Sequence, residues 1–237
     1  MKRLSVLGLF VTSLLFGTVQ AQTVDEVVNK HIEAIGGKDN WKKVNSMKSE
    51  AVMNVQGMDI PMTMYQVHNK GSKIEITAMN MTGYYITRMD SGWTFMPFMG
   101  QTAPEPMPAE ALKVAQDQLD IQGDLLDYKE KGSTVELLGK EDVDGTEAHK
   151  LKVVSKAGNE KTLFIDTKNY YIIRAVAKVS VNGQIIDAPS DLSNYQKLPE
   201  GIVVPFTMQT AQSPAPMNFK KIEVNPVLPD SLFRPGN

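Results

Sequence analysis

The 237-residue chain contains no cysteine. That excludes disulfides, thiolate zinc sites, cysteine nucleophiles and a thiol for lipid attachment. Only three histidines are present, His31, His68 and His149, far apart and none within an H-E-x-x-H pattern. Each reads as a structural or surface residue. There is no G-x-S-x-G elbow, no G-x-G-x-x-G turn and no P-loop, so the signatures of serine-hydrolase and nucleotide chemistry are missing. The carboxylate groups of "VDE", "KEDVD" and "APSD" fall in polar turns or caps, where solvation or capping accounts for them. Nothing here arranges residues for catalysis, no cofactor is expected, and no set of histidines or carboxylates calls for a metal.

An excess of one charge is missing too. Residues 1–21 have the form of a cleavable export signal: Lys2 and Arg3, the apolar run Leu4–Phe16, then Val19-Gln20-Ala21 before a mature start at Gln22. Without Lys2 and Arg3 the chain has 23 basic against 27 acidic residues, mixed along its length. That is no nucleic-acid footprint. The signal's apolar run is too short to span a bilayer, and no later stretch approaches ~20 apolar residues. The expected product is soluble, not lipidated, and exported to a bacterial periplasm.

What remains reads as a helix followed by strands. Thr23 and Glu26 form a capping-box pair, and Val24, Val27, Val28, Ile32 and Ile35 recur at helical spacing until Gly36-Gly37. A helical turn anchored by Trp41 follows. From Ser46 the pattern alternates, giving strands over 47–56, 59–68, 72–80, 83–90 and 92–96. The segment "GQTAPEPMPAEALKVAQDQLDIQG" then predicts a stiff lead-in and an amphipathic helix near 108–122. Strands resume near Ser133, with hairpin turns at Asp144-Gly145, Ala157-Gly158-Asn159, Lys168-Asn169 and Asn182-Gly183. The tail "PVLPDSLFRPGN" predicts an ordered strap ending in Phe233.

The richest local signal is methionine. Eleven of the 14 methionines lie between Met47 and Met107. Alternation places Met58, Ile60, Met62 and Met64 on one strand face. Three readings fit: a sheet core, an adaptable wall for an apolar ligand, or a Cu(I) site built from thioethers.

The second half is similar to a known family. "KTLFIDTKNYYIIRAVAKVSVNG", "LSNYQKLPEGIVVPFTMQT" and "FKKIEVNPVLPDSLFRP" resemble the periplasmic outer-membrane lipoprotein-sorting proteins, the LolA/LolB-like group. The opening "VVNKHIEAIGGKDNWKKVNSMKSEAVM" resembles their first helix and strand. The resemblance implies an α+β fold over residues 22–237: a curved, unclosed antiparallel β-sheet, or half-barrel, with helices covering its concave face. It implies a non-catalytic carrier that shields acyl chains of a lipoprotein or other lipid, a monomer between membrane-bound donor and acceptor proteins, with the 108–122 helix as a lid. The cavity-lining residues expected on this basis are Met62, Met64, Ile74, Ile76, Met79, Met96 and Phe98, faced by Leu112 and Leu119 from the lid. The family's functional arginine lies on an early strand; Arg88 is the sole arginine there, but no local motif assigns it that role. The competing readings are a periplasmic Met-rich Cu(I)-binding protein and a structural module whose sheet is filled by its own helices.

Overall fold

The computed structural model describes residues 22–181, 183–211, 213 and 215–236. The expected export signal and Asn182 of the expected Asn-Gly turn lie outside the described residues. Helix α1 (Val24–Ala34) starts on a reciprocal cap: Glu26 N–H donates to Thr23 Oγ1 (3.2 Å) and Thr23 N–H donates to the Glu26 carboxylate (2.9 Å). It stops at two glycines in the left-handed region, Gly36 (φ +109°) and Gly37 (φ +86°). The one-turn helix α2 (Lys38–Trp41) then seats Trp41, whose indole N–H donates to Ile35 O at 2.9 Å. The Ile35 carbonyl also accepts from Val203 N–H (2.8 Å), which ties the helix end to the sheet.

Among the described residues thirteen strands form one antiparallel sheet. β1 (Ser46–Val55), β2 (Met58–Val67), β3 (Gly71–Ala78), β4 (Met81–Arg88), β5 (Gly92–Phe95) and β6 (Glu105–Pro106) run as one meander. β7 (Thr134–Val143), β8 (Thr146–Val154), β9 (Glu160–Asp166), β10 (Ile172–Val181), β11 (Gln184–Lys197), β12 (Val203–Thr210) and β13 (Met217–Val224) form a second. The meanders join where β13 pairs with β1, giving the order β6-β5-β4-β3-β2-β1-β13-β12-β11-β10-β9-β8-β7. The edge strands β6 and β7 do not meet, so the sheet is an unclosed half-barrel, the α+β class expected. Bulges in β7, β10 and at the β1–β13 pairing add the local bend and twist that curl such a sheet.

Helix α3 (Ala109–Asp117) connects the meanders and ends before the expected residue 122. Beyond it the chain turns: the Asp120 carboxylate accepts from Gln122 N–H (3.0 Å), and Gly123 takes φ +82°.

Two apolar clusters lie on the face that carries α1. One joins Val27 and Val28 to Leu125, Leu151, Leu163 and Ile165; the other joins Ile35, Trp41 and Val44 to Leu126, Ile202 and Val204. The C-terminal strap covers the opposite face of the first meander. Phe233 is buried against Tyr84 and Ile86 and lies so close to Gly71 that a Cβ there would sit 3.0 Å from its ring. Arg88 donates to Asp230 of this strap (3.2 Å), as does Arg234 (2.9 Å). Arg88 thus ties strand to strap.

A Cβ on Gly36 would stand 2.2 Å from Gly201 O and 2.8 Å from Ile202 Cα, whereas one on Gly37 would meet nothing within 4 Å. Gly36→Ala should therefore cost ~3 kcal/mol or more, and Gly37→Ala only ~1 kcal/mol from its positive φ. Urea denaturation of both variants checks this; equal losses would show that the close approach relaxes freely.

Candidate functional site

Residues paired across an antiparallel sheet share a face, so the inner face can be followed by register. On β10 and β11 these inward positions are small: Ala175 opposes Ser190, and Ala177 opposes Ala188. Larger side chains close the sides. Ile172, Leu192, Val204 and Met208 come from the sheet, and His31, Ile32, Ile35 and Trp41 from the first two helices. Ile121, Leu125 and Leu126, on the turn-rich segment after α3, form the roof. Four small residues facing bulky ones across the fold leave a cavity of about 590 Å³. That volume lies within the range of small-molecule sites, ~300–1,000 Å³.

The lining is mostly apolar, and its His31 and Tyr195 are each held by a backbone carbonyl. His31 Nδ1 lies 2.8 Å from Tyr170 O; a carbonyl only accepts, so Nδ1 carries the proton. Burial pushes the His31 pKa below its usual value and keeps the ring neutral, against the opposing effect of that hydrogen bond. Tyr195 donates to Ile172 O (2.7 Å) and stacks on Tyr171 with ring centres 4.4 Å apart; burial raises its pKa. The charged lining residues are Lys161 and Asp124, paired at 2.6 Å.

The inner face does not end at the cavity. Leu192, Met208, Met217, Met53 and Ile60 stand opposite one another in turn across β11, β12, β13, β1 and β2. In the next rows Phe219, Ala51, Met62 and Ile76 align, as do Ile222, Ser49, Met64 and Ile74. The apolar surface thus runs from the cavity wall onto the first meander.

Of the expected lining residues, Met62, Met64, Ile74 and Ile76 occupy this inner face, half-buried, but lie beyond the cavity wall. Met96 and Phe98 close over Gly83 on the same face: a Cβ there would meet Met96 Sδ at 2.8 Å and the Phe98 ring at 2.9 Å. Met79 is a correction. It sits in the β3–β4 turn at φ +53° and is 79% exposed, because two turn residues break the alternation. Leu112 packs toward Gly92, and Leu119 is fully buried past the end of α3; neither lines the cavity. The sequence reading overlooked the small residues of β10 and β11, whose signal was only the Ala-x-Ala spacing in "RAVAKV" and the "DAPSDLS" run.

Helix α3 has no buried residue and is held mainly at its flanks. Gln116 donates to Met89 O (2.9 Å) on the first meander, and Asn159 donates to Lys113 O (3.2 Å) and to the Asp117 carboxylate (2.7 Å) from the second. The helix therefore straps the two meanders together. Among the described residues no cluster of three or more His, Asp or Glu could hold a metal ion, and no helix is long and apolar enough to cross a membrane.

No protein-family model matches the chain, and no curated protein matches it in sequence. Solved structures do match in fold. A DUF1329 family protein from Desulfovibrio piger superposes with a TM-score of 0.56 at 15% identity, covering 89% of this chain and 97% of that one. A LolA superfamily protein from Nitrosomonas europaea gives 0.54 at 15% identity, covering 87% and 96%. A domain named for outer membrane lipoprotein sorting, from Vibrio parahaemolyticus, gives 0.51 at 14% identity, covering 88% and 94%. The chain has the LolA-like fold.

The buried His31 supplies a pH test. Its pKa is depressed in the folded chain and ordinary, near 6.5, in the unfolded one. The unfolded state then binds more protons below that value, so the stability from a neutral His31 is present above about pH 6.5 and lost as pH falls. Urea midpoints should drop between pH 7.5 and 5.5, by an amount on the order of 1 kcal/mol for this group. A His31→Gln variant should show a flatter profile over that window.

Proposed function

We propose that this protein is a non-catalytic carrier of a hydrophobic, acylated ligand. It takes an acyl chain into the cavity beneath α1, α2 and the segment after α3 and shields it from water in an exported compartment, the bacterial periplasm. The observation that carries this reading is the cavity of about 590 Å³, floored by Ala175, Ala177, Ala188 and Ser190. A protein needing only a packed core would place larger residues there, since filling apolar space stabilises. The continuous apolar rows across β11–β2 give a chain longer than the cavity somewhere to lie. Each methylene kept from water gains ~0.8 kcal/mol, so a dozen gain on the order of 10 kcal/mol before ordering costs.

The LolA-like fold supports the reading, as does an N-terminal segment with the form of an export signal. Helix α3, strapped by side-chain hydrogen bonds rather than by a buried face, is the element able to move aside for entry. The protein would receive its cargo from one membrane-bound partner and release it to another, acting as a monomer.

Calorimetric titration of the chain from Gln22 onward with a palmitoylated peptide tests this. One chain should bind per protein, and Ala188→Trp, which fills the floor, should weaken binding at least ~10-fold. Met79→Ser, in an exposed turn, should leave binding unchanged. Absence of binding by the unaltered protein to any acylated probe would overturn the reading.

A further inference from the structure

The cavity has one polar corner, and its chemistry selects a headgroup. We propose that Lys161 is a headgroup anchor that receives an anionic oxygen, carboxylate or phosphate, of the amphiphile whose chain fills the cavity. The proposal rests on the carrier reading above and adds the class of ligand.

Lys161 stands on β9, on the inner face, in register with Val153 on one side and Ala177 on the other. Ala177 in turn opposes Ala188, so this lysine stands directly beside the alanines of the cavity floor. Short neighbours cannot shield the ammonium on that side. Its backbone is fixed by strand pairing on both flanks, and its side chain is partly exposed at the cavity edge (29%). A cation held there by a rigid strand has the position of an anchor, with the apolar volume extending from it.

The present partner is replaceable. Asp124 pairs with Lys161 at 2.6 Å but belongs to the segment after α3, where neither helix nor strand fixes the backbone. Asp124 also borders a neighbouring hollow lined by Lys131, itself paired with Asp120 (2.5 Å), and by Lys156, whose ammonium is at hand for a displaced carboxylate. Half-exposed ion pairs contribute little net stability. Exchanging one carboxylate for another anionic oxygen at Lys161 keeps a charge-assisted hydrogen bond. Beside Asp124, Gln118 and Gln122 also line the cavity, and their amides can donate to the remaining lone pairs of the head.

The test compares three ligands with the same chain: palmitate, its uncharged methyl ester, and palmitoyl lysophosphatidate. Binding to the mature protein is measured at one pH and low salt. The unaltered protein should prefer at least one acid over the ester by ~10-fold or more. Lys161→Met keeps the stem and removes the charge, and should bring that ratio close to one. Asp124→Asn removes the competing charge, and should raise affinity for the acids relative to the ester. Preference for palmitate identifies a carboxylate head, and preference for lysophosphatidate identifies a phosphate head. If the ester binds as tightly as both acids and neither substitution changes the ratios, the anchor is overturned while the carrier reading stands. If none of the three binds but the palmitoylated peptide does, the anchor alone is overturned; if the peptide does not bind either, the carrier reading fails and the anchor with it.

Discussion

The pairing of β1 with β13 is the constraint on which the rest depends. Each meander could be built from local hairpins, but neither alone makes a sheet wide enough to curl around a ligand. The seam unites strands more than 150 residues apart, from Met47 opposite Val224 to Met53 opposite Met217. Closing so long a loop costs entropy that only extensive pairing offsets. Asn225 fastens one end: its side-chain oxygen accepts from Asn45 N–H (2.8 Å), and its amide donates to Lys43 O (2.9 Å). The bulge in the same seam has a further effect. Between Glu50 and Ala51 the partner skips from Lys221 to Phe219, leaving Lys220 unpaired. One extra residue reverses the alternation, so that Phe219 and Ile222 both face inward.

The two meanders then take different roles. Around the cavity, large residues are deeply buried, Ile35, Leu126, Ile165 and Ile202 among them. These form a rigid rim, and the small residues of β10 and β11 lie within it. A void is tolerated there because the surrounding clusters are complete without it. The first meander is more open. Its inward Met53, Ile60, Met62, Met64, Ile74 and Ile76 are half-buried, and its outward face is the one sealed by Phe233 and the strap. The strap frees the inner face of that meander from having to serve as its core.

The local features were legible in the sequence and the cavity wall was not. The capping box, the Gly36-Gly37 stop, Trp41 as an anchor and most hairpin turns depend on residues a few positions apart. The half-barrel itself was legible through family resemblance. The wall depends on register between strands far apart in sequence and on what is missing from it. An alanine on a strand face carries little signal, whereas a methionine is conspicuous. The reading therefore followed methionine density into β2–β5, one sector away from the cavity, and took Met79 for a wall residue when it lies in a turn. Leu119 misled differently. The helical pattern 112, 115, 119 is real, but the chain leaves the helix after Asp117 and buries Leu119 from a turn.

Ten of the 14 methionines fall into two populations with different physics. Met58, Met79, Met81, Met89 and Met99 are exposed by 39–79%, at or beside hairpin ends. Met53, Met62, Met64, Met208 and Met217 lie on the inner face in adjoining rows. Only the second set continues the apolar surface of the cavity. A branched residue there would hold one shape, because two heavy atoms on Cβ restrict its rotamers. Methionine has three rotatable bonds and no branch, so it conforms to an alkyl chain at little cost and relaxes back when the chain leaves. The floor of alanines fixes where a chain starts, and the methionine rows leave open how far it extends. That combination suits a carrier whose cargo shares a headgroup but varies in chain length.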